Sequence, residues 1–259
     1  MNMMEHITSS VTYLTTVGNH ESDWTNSSSY YQGTDSGGEC GILSKKLYPM
    51  PDTATTNKPW WSYNVGLIHF IGISSEHDFT IGSEQYKWLE NDLHEVNRKI
   101  TPWIIFGAHR AMYINSNYSG SSTADFEVSE LMITNLEPLL YKYKVNIGFY
   151  GHNHVVQRQS AVYNKTVIQH PIKRINPEQT ITYIHDDPHA TVHMIVGTGG
   201  ASFTYTAIDG DDRPEWNELY FYKYGYAKVT AFNETTLEWK WIESLTDNIL
   251  DHVIFYQNL

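Results

Sequence analysis

Two histidines one residue apart occur in Gly151-His152-Asn153-His154, directly after the apolar run Val145-Asn146-Ile147-Gly148-Phe149-Tyr150. Imidazoles at that spacing, at the end of a buried-looking strand, can act as metal ligands on a rigid support. Gly151 would give the backbone the freedom to turn sharply there. An isolated pair of this kind could equally be two histidines on a surface loop. Two further segments repeat the pattern. Thr12-Tyr13-Leu14-Thr15-Thr16-Val17 runs into Gly18-Asn19-His20-Glu21, and Trp103-Ile104-Ile105-Phe106 runs into Gly107-Ala108-His109-Arg110. Three apolar runs that each end in glycine and then histidine point to one shared site. Imidazole with amide oxygen suits Zn, Fe, Mn or Ni, and the absence of thiolates argues against a closed structural zinc site. Open sites of this type polarise a phosphoryl or carbonyl oxygen, and paired ions roughly 3.5–4 Å apart serve phosphate ester hydrolysis. None of the three motifs contains a convincing bridging Asp.

The elements that must position these residues follow from periodicity. Residues 1–10 read as the end of a helix and 12–17 as a strand. Residues 22–59 are a polar stretch too long for an ordinary connection, so a functional loop is expected there. Trp60 to Val65 and Leu67 to Ser74 predict a hairpin turning at Gly66. Tyr86, Leu89, Leu93 and Val96 repeat at helical spacing, with Ser83 as the N-cap. A short strand is expected at Trp103 to Phe106, a polar loop over 114–124, and then one helix carrying Val128, Leu131, Met132, Leu136, Leu139 and Leu140 on a face. Strands are predicted at 145–150, 161–168, 181–184, 191–196, 224–232 and 237–242, with Gly197-Thr198-Gly199-Gly200 as a third glycine-bearing loop. Alternating strands and helices early, then strands late, imply a layered α/β sandwich. Functional loops of such sheets lie beyond the carboxyl ends of the strands, so Asn19, His20, His109, His152 and His154 should converge on one rim.

The chain of 259 residues is long enough for one large domain, and no repeat or linker divides it. Its net charge of −12 argues against a nucleic acid polymer or an anionic membrane as partner. It leaves a phosphate-bearing small molecule open, because a bound metal reverses the local field. No apolar run approaches the ~18–20 residues that span a bilayer, and no signal segment opens the chain. Cys40 is the single cysteine, which excludes an internal disulfide and favours a reducing compartment. Glycosylation acceptors at Asn26, Asn117, Asn164 and Asn233 point the other way.

GNHE, a histidine after an apolar strand, and GHxH in this order resemble the metallophosphoesterases, specifically the purple acid phosphatases. Asp35-Ser36-Gly37-Gly38-Glu39-Cys40-Gly41, Trp61-Ser62-Tyr63, Ser75-Glu76-His77-Asp78, Gly82-Ser83-Glu84-Gln85 and Tyr141-Lys142-Tyr143-Lys144-Val145 resemble the long, plant-type branch. The resemblance covers essentially the whole chain. It implies a four-layer α-β-β-α sandwich lacking its first strands, with residues 1–259 forming the later two-thirds of a catalytic domain and 191–259 its C-terminal region. It also implies a dinuclear centre of Fe with Zn, Mn or Fe, in which Asn19, His109, His152 and His154 are ligands. His20 orients substrate and protonates the leaving group, and Arg110 either reaches substrate phosphate or is a surface arginine. Two ligand blocks of the family, an Asp and then an Asp with a Tyr three residues on, are absent; they would lie upstream of Met1.

The omission is uneven. The divalent position keeps Asn19, His109 and His152, while the ferric position keeps only His154, so at most one divalent ion, held weakly, is expected in this chain. An unpaired sheet edge is expected with it. After GHxH the family often has Tyr-Glu-Arg; here Val156-Gln157-Arg158 keeps only the arginine. His69, His94, His170 and His252 read as structural or solvent-facing, and His185, His189 and His193 as a weak candidate for another metal site. The resemblance implies hydrolysis of phosphoric monoesters by metal-bound hydroxide, of acid phosphatase type, with little hydrolysis expected from this chain because the first two ligand blocks are missing. Nucleotide pyrophosphatase/phosphodiesterase activity is one alternative, and a catalytically inactive binding protein is another. It also implies a secreted or lysosomal/vacuolar location for the full-length protein.

Overall fold

The computed structural model describes residues 2–22, 41–51, 57–115 and 124–258. Most of the two polar loops, residues 35–40 of the DSGGECG motif, and the acceptors Asn26 and Asn117 lie outside them. In chain order the elements are α1 (Asn2–Thr8), α2 (Ile42–Leu47), β1 (Trp61–Val65), β2 (Ile68–Gly72), α3 (Glu84–Glu95), β3 (Trp103–Ala108), α4 (Ala124–Asn135), α5 (Glu137–Lys142) and β4 (Ile147–Tyr150). They continue with β5 (Val156–Tyr163), β6 (Thr166–Gln169), β7 (Ile172–Ile175), β8 (Ile181–Asp186), β9 (Val192–Val196), β10 (Asn217–Phe221), β11 (Gly225–Ala231), β12 (Thr236–Glu243) and β13 (Ile249–Tyr256).

Two sheets form. One runs β1-β2-β3-β4-β9-β5-β10, with β6 paired to β5, and the other runs β11-β12-β13-β8-β7. On one face of the first sheet, Ile71, Ile104 and Phe106 pack against Leu89 and Leu93 of α3, Val128 and Met132 of α4, and Leu139 and Leu140 of α5. Its other face puts Ile68, Trp103, Ile105, Val192 and Met194 against Leu237, Trp239, Val253 and Phe255 of the second sheet. Helices, sheet and sheet are thus layered around two apolar interfaces, as the sequence pattern requires. The sheets are also joined by a buried bidentate ion pair, Arg158 Nε to Asp251 Oδ2 at 2.8 Å and Arg158 Nη2 to Asp251 Oδ1 at 3.1 Å. The arginine that survives after GHxH therefore serves to join the layers.

Several sequence expectations are corrected. Residues 12–17 form no strand. A strand needs a ladder partner, and here the Trp61 indole N–H donates to the Thr15 carbonyl (2.8 Å) while the Thr15 N–H faces the Met50 sulfur. This segment lies along a cavity of about 970 Å³ between the sheets, lined by Phe70, Ile105, Phe149, Val229 and Trp239 among others. The single helix expected to carry Val128 through Leu140 breaks at Leu136, because Pro138 at the start of α5 cannot donate the next backbone hydrogen bond. The strand expected over 161–168 is a hairpin. Asn164 and Lys165 both adopt positive φ (48° and 61°), the geometry of a two-residue reversal. Strands β7, β10 and β13 were not expected. The hairpin β1–β2 and the Ser83 cap, whose hydroxyl accepts from the Tyr86 N–H at 3.1 Å, match the sequence reading.

Strands β2, β3, β4 and β9 are mutually parallel. Their carboxyl ends deliver Ser75-Glu76-His77, His109-Arg110, Gly151 to His154, and the loop from Gly197 to one rim.

Candidate metal centre

The GNHE segment is a tight turn. Glu21 and Ser22 N–H groups donate to the Gly18 carbonyl (3.0 and 3.1 Å), and the Glu21 carboxylate returns to accept from the Gly18 N–H at 3.1 Å. A Cβ on Gly18 would come within 2.9 Å of the His109 ring, so the glycine lets that imidazole lie against the turn. Asn19 is buried and His20 beside it is exposed. His20 is near enough that its charge contributes to depressing the His109 pKa.

Three donor atoms from three segments meet. Asn19 Oδ1 lies 2.7 Å from His109 Nε2, His109 Nε2 lies 3.0 Å from His152 Nδ1, and His152 Nδ1 lies 3.2 Å from Asn19 Oδ1. Ligand bonds of about 2.1 Å to a common cation place donors roughly 3 Å apart, so the triangle has the size of one face of a coordination shell. Its chemistry fits as well. Burial, and after it the neighbouring His152 and Arg110, push the His109 pKa well below the ordinary histidine value, which keeps a lone pair on the ring. An amide oxygen and two neutral imidazole nitrogens facing one another share at most a proton or two, whereas a cation satisfies all three. Among the described residues no group of three or more His, Cys, Asp or Glu is placed to hold a metal, so the triad depends on the Asn19 amide as its third donor.

His152 is held from behind. Its Nε2 lies 3.0 Å from Asp125 Oδ1; a carboxylate only accepts, so the proton sits on Nε2 and the lone pair on Nδ1 faces the triad. Asp125 Oδ2 accepts from the Asn153 amide at 3.2 Å. His152 itself has φ 58°, a left-handed conformation uncommon outside glycine. The sharp turn anticipated at Gly151 is therefore taken by the histidine.

Arg110 is largely buried, with its side chain 12 % exposed. Its Nε donates to Glu76 Oε1 at 2.8 Å, and its Nη1 lies 3.5 Å from Asp125 Oδ1 and 3.3 Å from His152 Nε2. The guanidinium ties two buried carboxylates together beneath His152. Asp125 and Glu76 carry no functional assignment in the sequence reading. An acid in the first turn of a helix was the one available signal for Asp125, and nothing in the sequence couples it to a histidine 27 residues away.

His154 is turned elsewhere. Its Nδ1–H donates to the Ser202 carbonyl at 2.7 Å, leaving the lone pair on Nε2, and its backbone exchanges hydrogen bonds with Thr204. The loop after β9 lies so close that a Cβ on Gly197 would sit 1.9 Å from the Asn153 carbonyl oxygen. Of the remaining histidines, His69 is buried between Asn64 and Asp92. His185 and His193 are buried in β8 and β9, where desolvation takes each to about 3.

Residues 1–156 match the calcineurin-like phosphoesterase family, and residues 190–252 match the iron/zinc purple acid phosphatase-like C-terminal family. The chain is 34 % identical to Arabidopsis thaliana "Probable inactive purple acid phosphatase 1" over 96 % of its own length and 38 % of that protein's. It is 32 % identical to a Hordeum vulgare nucleotide pyrophosphatase/phosphodiesterase, over 95 % of this chain and 63 % of the relative. A purple acid phosphatase from yellow lupin seeds superposes with a TM-score of 0.82 at 31 % identity, covering 99 % of this chain and 43 % of that one. The chain thus spans well under half the length of the first of these relatives.

Proposed function

Because this chain belongs to the calcineurin-like phosphoesterases, of the purple acid phosphatase type, we propose that it carries part of an active site for metal-assisted hydrolysis of phosphoric monoesters. The convergence of Asn19, His109 and His152 is the observation that carries the reading. These three would hold one divalent cation, and His154 would contribute to a second position. A bound cation supplies Lewis acidity toward a phosphoryl oxygen. Asp125 fixes the tautomer of His152, and Arg110 keeps Asp125 and Glu76 in place, which supports a positioning role for Arg110 over direct phosphate contact. His20, exposed beside Asn19, would hand a proton to the departing ester oxygen in this reading. Residues 1–259 form the later two-thirds of a single catalytic domain in this reading, which is supported by the segment matching the C-terminal family contributing β9 to the first sheet and β11 and β12 to the second.

A phosphodiester or pyrophosphate bond of a nucleotide is the second reading, favoured by the barley relative. A weakly active or inactive chain is the third, favoured by the Arabidopsis relative's name. Secretion or a vacuolar destination is consistent with Asn164 and Asn233, acceptors at exposed turns; no described helix is long and apolar enough to cross a membrane.

The test pairs aryl phosphates of good and poor leaving groups with a dinucleotide diester, using Mn- or Zn-loaded protein. The expected result is monoester turnover that His20→Ala lowers about 100-fold for the poor leaving group and far less for the good one. Faster cleavage of the diester would transfer the reading to the nucleotide phosphodiesterases. No turnover above a His109→Ala control would leave the inactive reading.

A further inference from the structure

Beside the GNHE turn lies a second, smaller cavity of about 120 Å³, lined by neither His109 nor His152. A liquid water takes up ~30 Å³, so the space is larger than one or two waters need. Val17, Pro49 and Pro59 contribute apolar walls, and Ser22, Lys45 and His77 contribute polar groups.

Two of those polar groups are left over by the fold. Ser22 and His77 are 1 % and 4 % exposed, and neither the Ser22 hydroxyl nor His77 Nε2 has a hydrogen-bond partner among the described residues. Buried polar atoms are nearly always paired, so two such atoms on side chains lining one cavity point to a ligand. Both side chains are held in place. The Ser22 N–H donates to the Gly18 carbonyl at 3.1 Å, and the Gly41 N–H donates to the adjoining Glu21 carbonyl at 2.7 Å. The His77 ring meets Trp60 edge-on, with centroids 6.5 Å apart.

The protons follow from the hydrogen bonds. The Ser74 hydroxyl oxygen accepts from the Glu76 N–H at 3.3 Å, and among the described residues its own proton has no acceptor besides His77 Nδ1, 2.8 Å away. The ring proton of His77 therefore sits on Nε2. Burial lowers its pKa to about 4, which keeps the ring neutral. Ser22 and His77 can thus both donate. Lys45 adds a third donor and is the only charged side chain of the described lining, in a chain with 29 acidic residues. Donors without a carboxylate among them suit an anion. Two buried donors match the two oxygens of a carboxylate, whereas a phosphate would leave further oxygens against apolar walls.

We propose that this cavity binds a small monocarboxylate, its oxygens accepting from the Ser22 hydroxyl and His77 Nε2–H, its charge facing Lys45 and its alkyl end against Val17, Pro49 and Pro59. The site stands apart from the phosphoesterase reading. The chain nonetheless links it to the metal centre, because Ser22 closes the turn that carries Asn19, and His77 follows Glu76, the partner of Arg110.

NMR titration of the whole, metal-free chain with butyrate, butyramide and inorganic phosphate at fixed ionic strength tests the site. Butyrate should bind saturably, shifting the His77 ring and the Ser22 and Gly41 amides, and should bind equally well to His109→Ala. Ser22→Ala and His77→Phe should each weaken it about 10- to 100-fold, the worth of a hydrogen bond to a charged group. Lys45→Gln, at an exposed position, should cost less than about tenfold. Circular dichroism checks that each variant folds, and Ser22→Ala, which removes a single oxygen, decides the matter if His77→Phe does not. Butyramide binding as tightly as butyrate, phosphate binding more tightly, or butyrate binding lost in His109→Ala overturns the carboxylate site. Affinity unchanged in Ser22→Ala, or no saturable binding, also overturns it and assigns the two unpaired atoms to buried water.

Discussion

Asn19, His109 and His152 come from three distant segments and meet within 3.2 Å of one another, whereas His154, two residues beyond His152, spends a ring nitrogen on the backbone of a fourth. Behind the first group stands a chain of buried charge running from Asp125 through Arg110 to Glu76. Behind the second stands a loop bearing aromatic rings. Candidate donor atoms can thus be gathered on one side of a motif and not on the other, although both histidines sit in the same four residues. The spacing of GHxH tells where imidazoles start. Where they end depends on which neighbours reach each ring.

Removing a ligand from each side should break or uphold this asymmetry most sharply. Titration of the chain with Zn or Mn is expected to reveal one divalent site. His109→Ala should weaken it by more than about 100-fold, beyond the range of a supporting residue, and His154→Ala by less than tenfold. Two tightly bound ions per chain, or equal losses in the two variants, would end the distinction.

A smaller effect probes the support alone. Asp125→Asn keeps the shape and an acceptor but removes the charge that orders His152 and pairs with Arg110, so metal affinity should fall about 10- to 100-fold. Nitrogen chemical shifts of His152 supply the second readout: the Nε2–H tautomer should dominate in the parent and be diluted in the variant. Unchanged affinity and tautomer would assign Asp125 to the start of α4 and nothing more.

Sequence patterns revealed one set of features and hid another for physical reasons. Runs such as Trp103 to Phe106 and the period of Tyr86, Leu89 and Leu93 were legible because apolar burial imposes a spacing. Strand β5 was hidden at its start because Gln157, Arg158, Gln159 and Ser160 are polar yet buried, each hydrogen-bonded to a remote partner such as Asn115, Asp251, Tyr113 or Glu218. The 12–17 segment misled because apolar alternation states a preference for a ladder without supplying the neighbour. The histidines of the rim were readable from their glycine-flanked loops. The contacts of Asp125 and Glu76 were not, since a carboxylate behind a histidine needs only to be near in space, and the pairing of Arg110 with both was hidden for the same reason.

The smallest effect asks whether the two sides share a floor. His193, in β9, shares a hydrogen bond between its Nδ1 and the Tyr150 hydroxyl at 2.9 Å, and His185 stacks on Phe255 at 5.3 Å in the second sheet. Desolvation lowers both to about 3, against 6.5 for a free histidine. Above pH 6.5 neither state is protonated and the pair has no effect on stability. Below it the unfolded chain takes up protons that the folded chain refuses down to about pH 3, so stability falls with acid throughout that window. Between pH 6.5 and 5.5 the loss is about 1 kcal/mol for each histidine. Urea unfolding at the two pH values measures it, and His193→Gln should remove one histidine's share. His109 is buried in the same way and its pKa is likewise depressed, chiefly by desolvation, so it adds a share of its own, and the acid loss should be smaller in metal-free His109→Ala than in His154→Ala. Equal losses in the two variants would show that the triad refuses no protons on folding, and acid would then not distinguish the two sides of the motif.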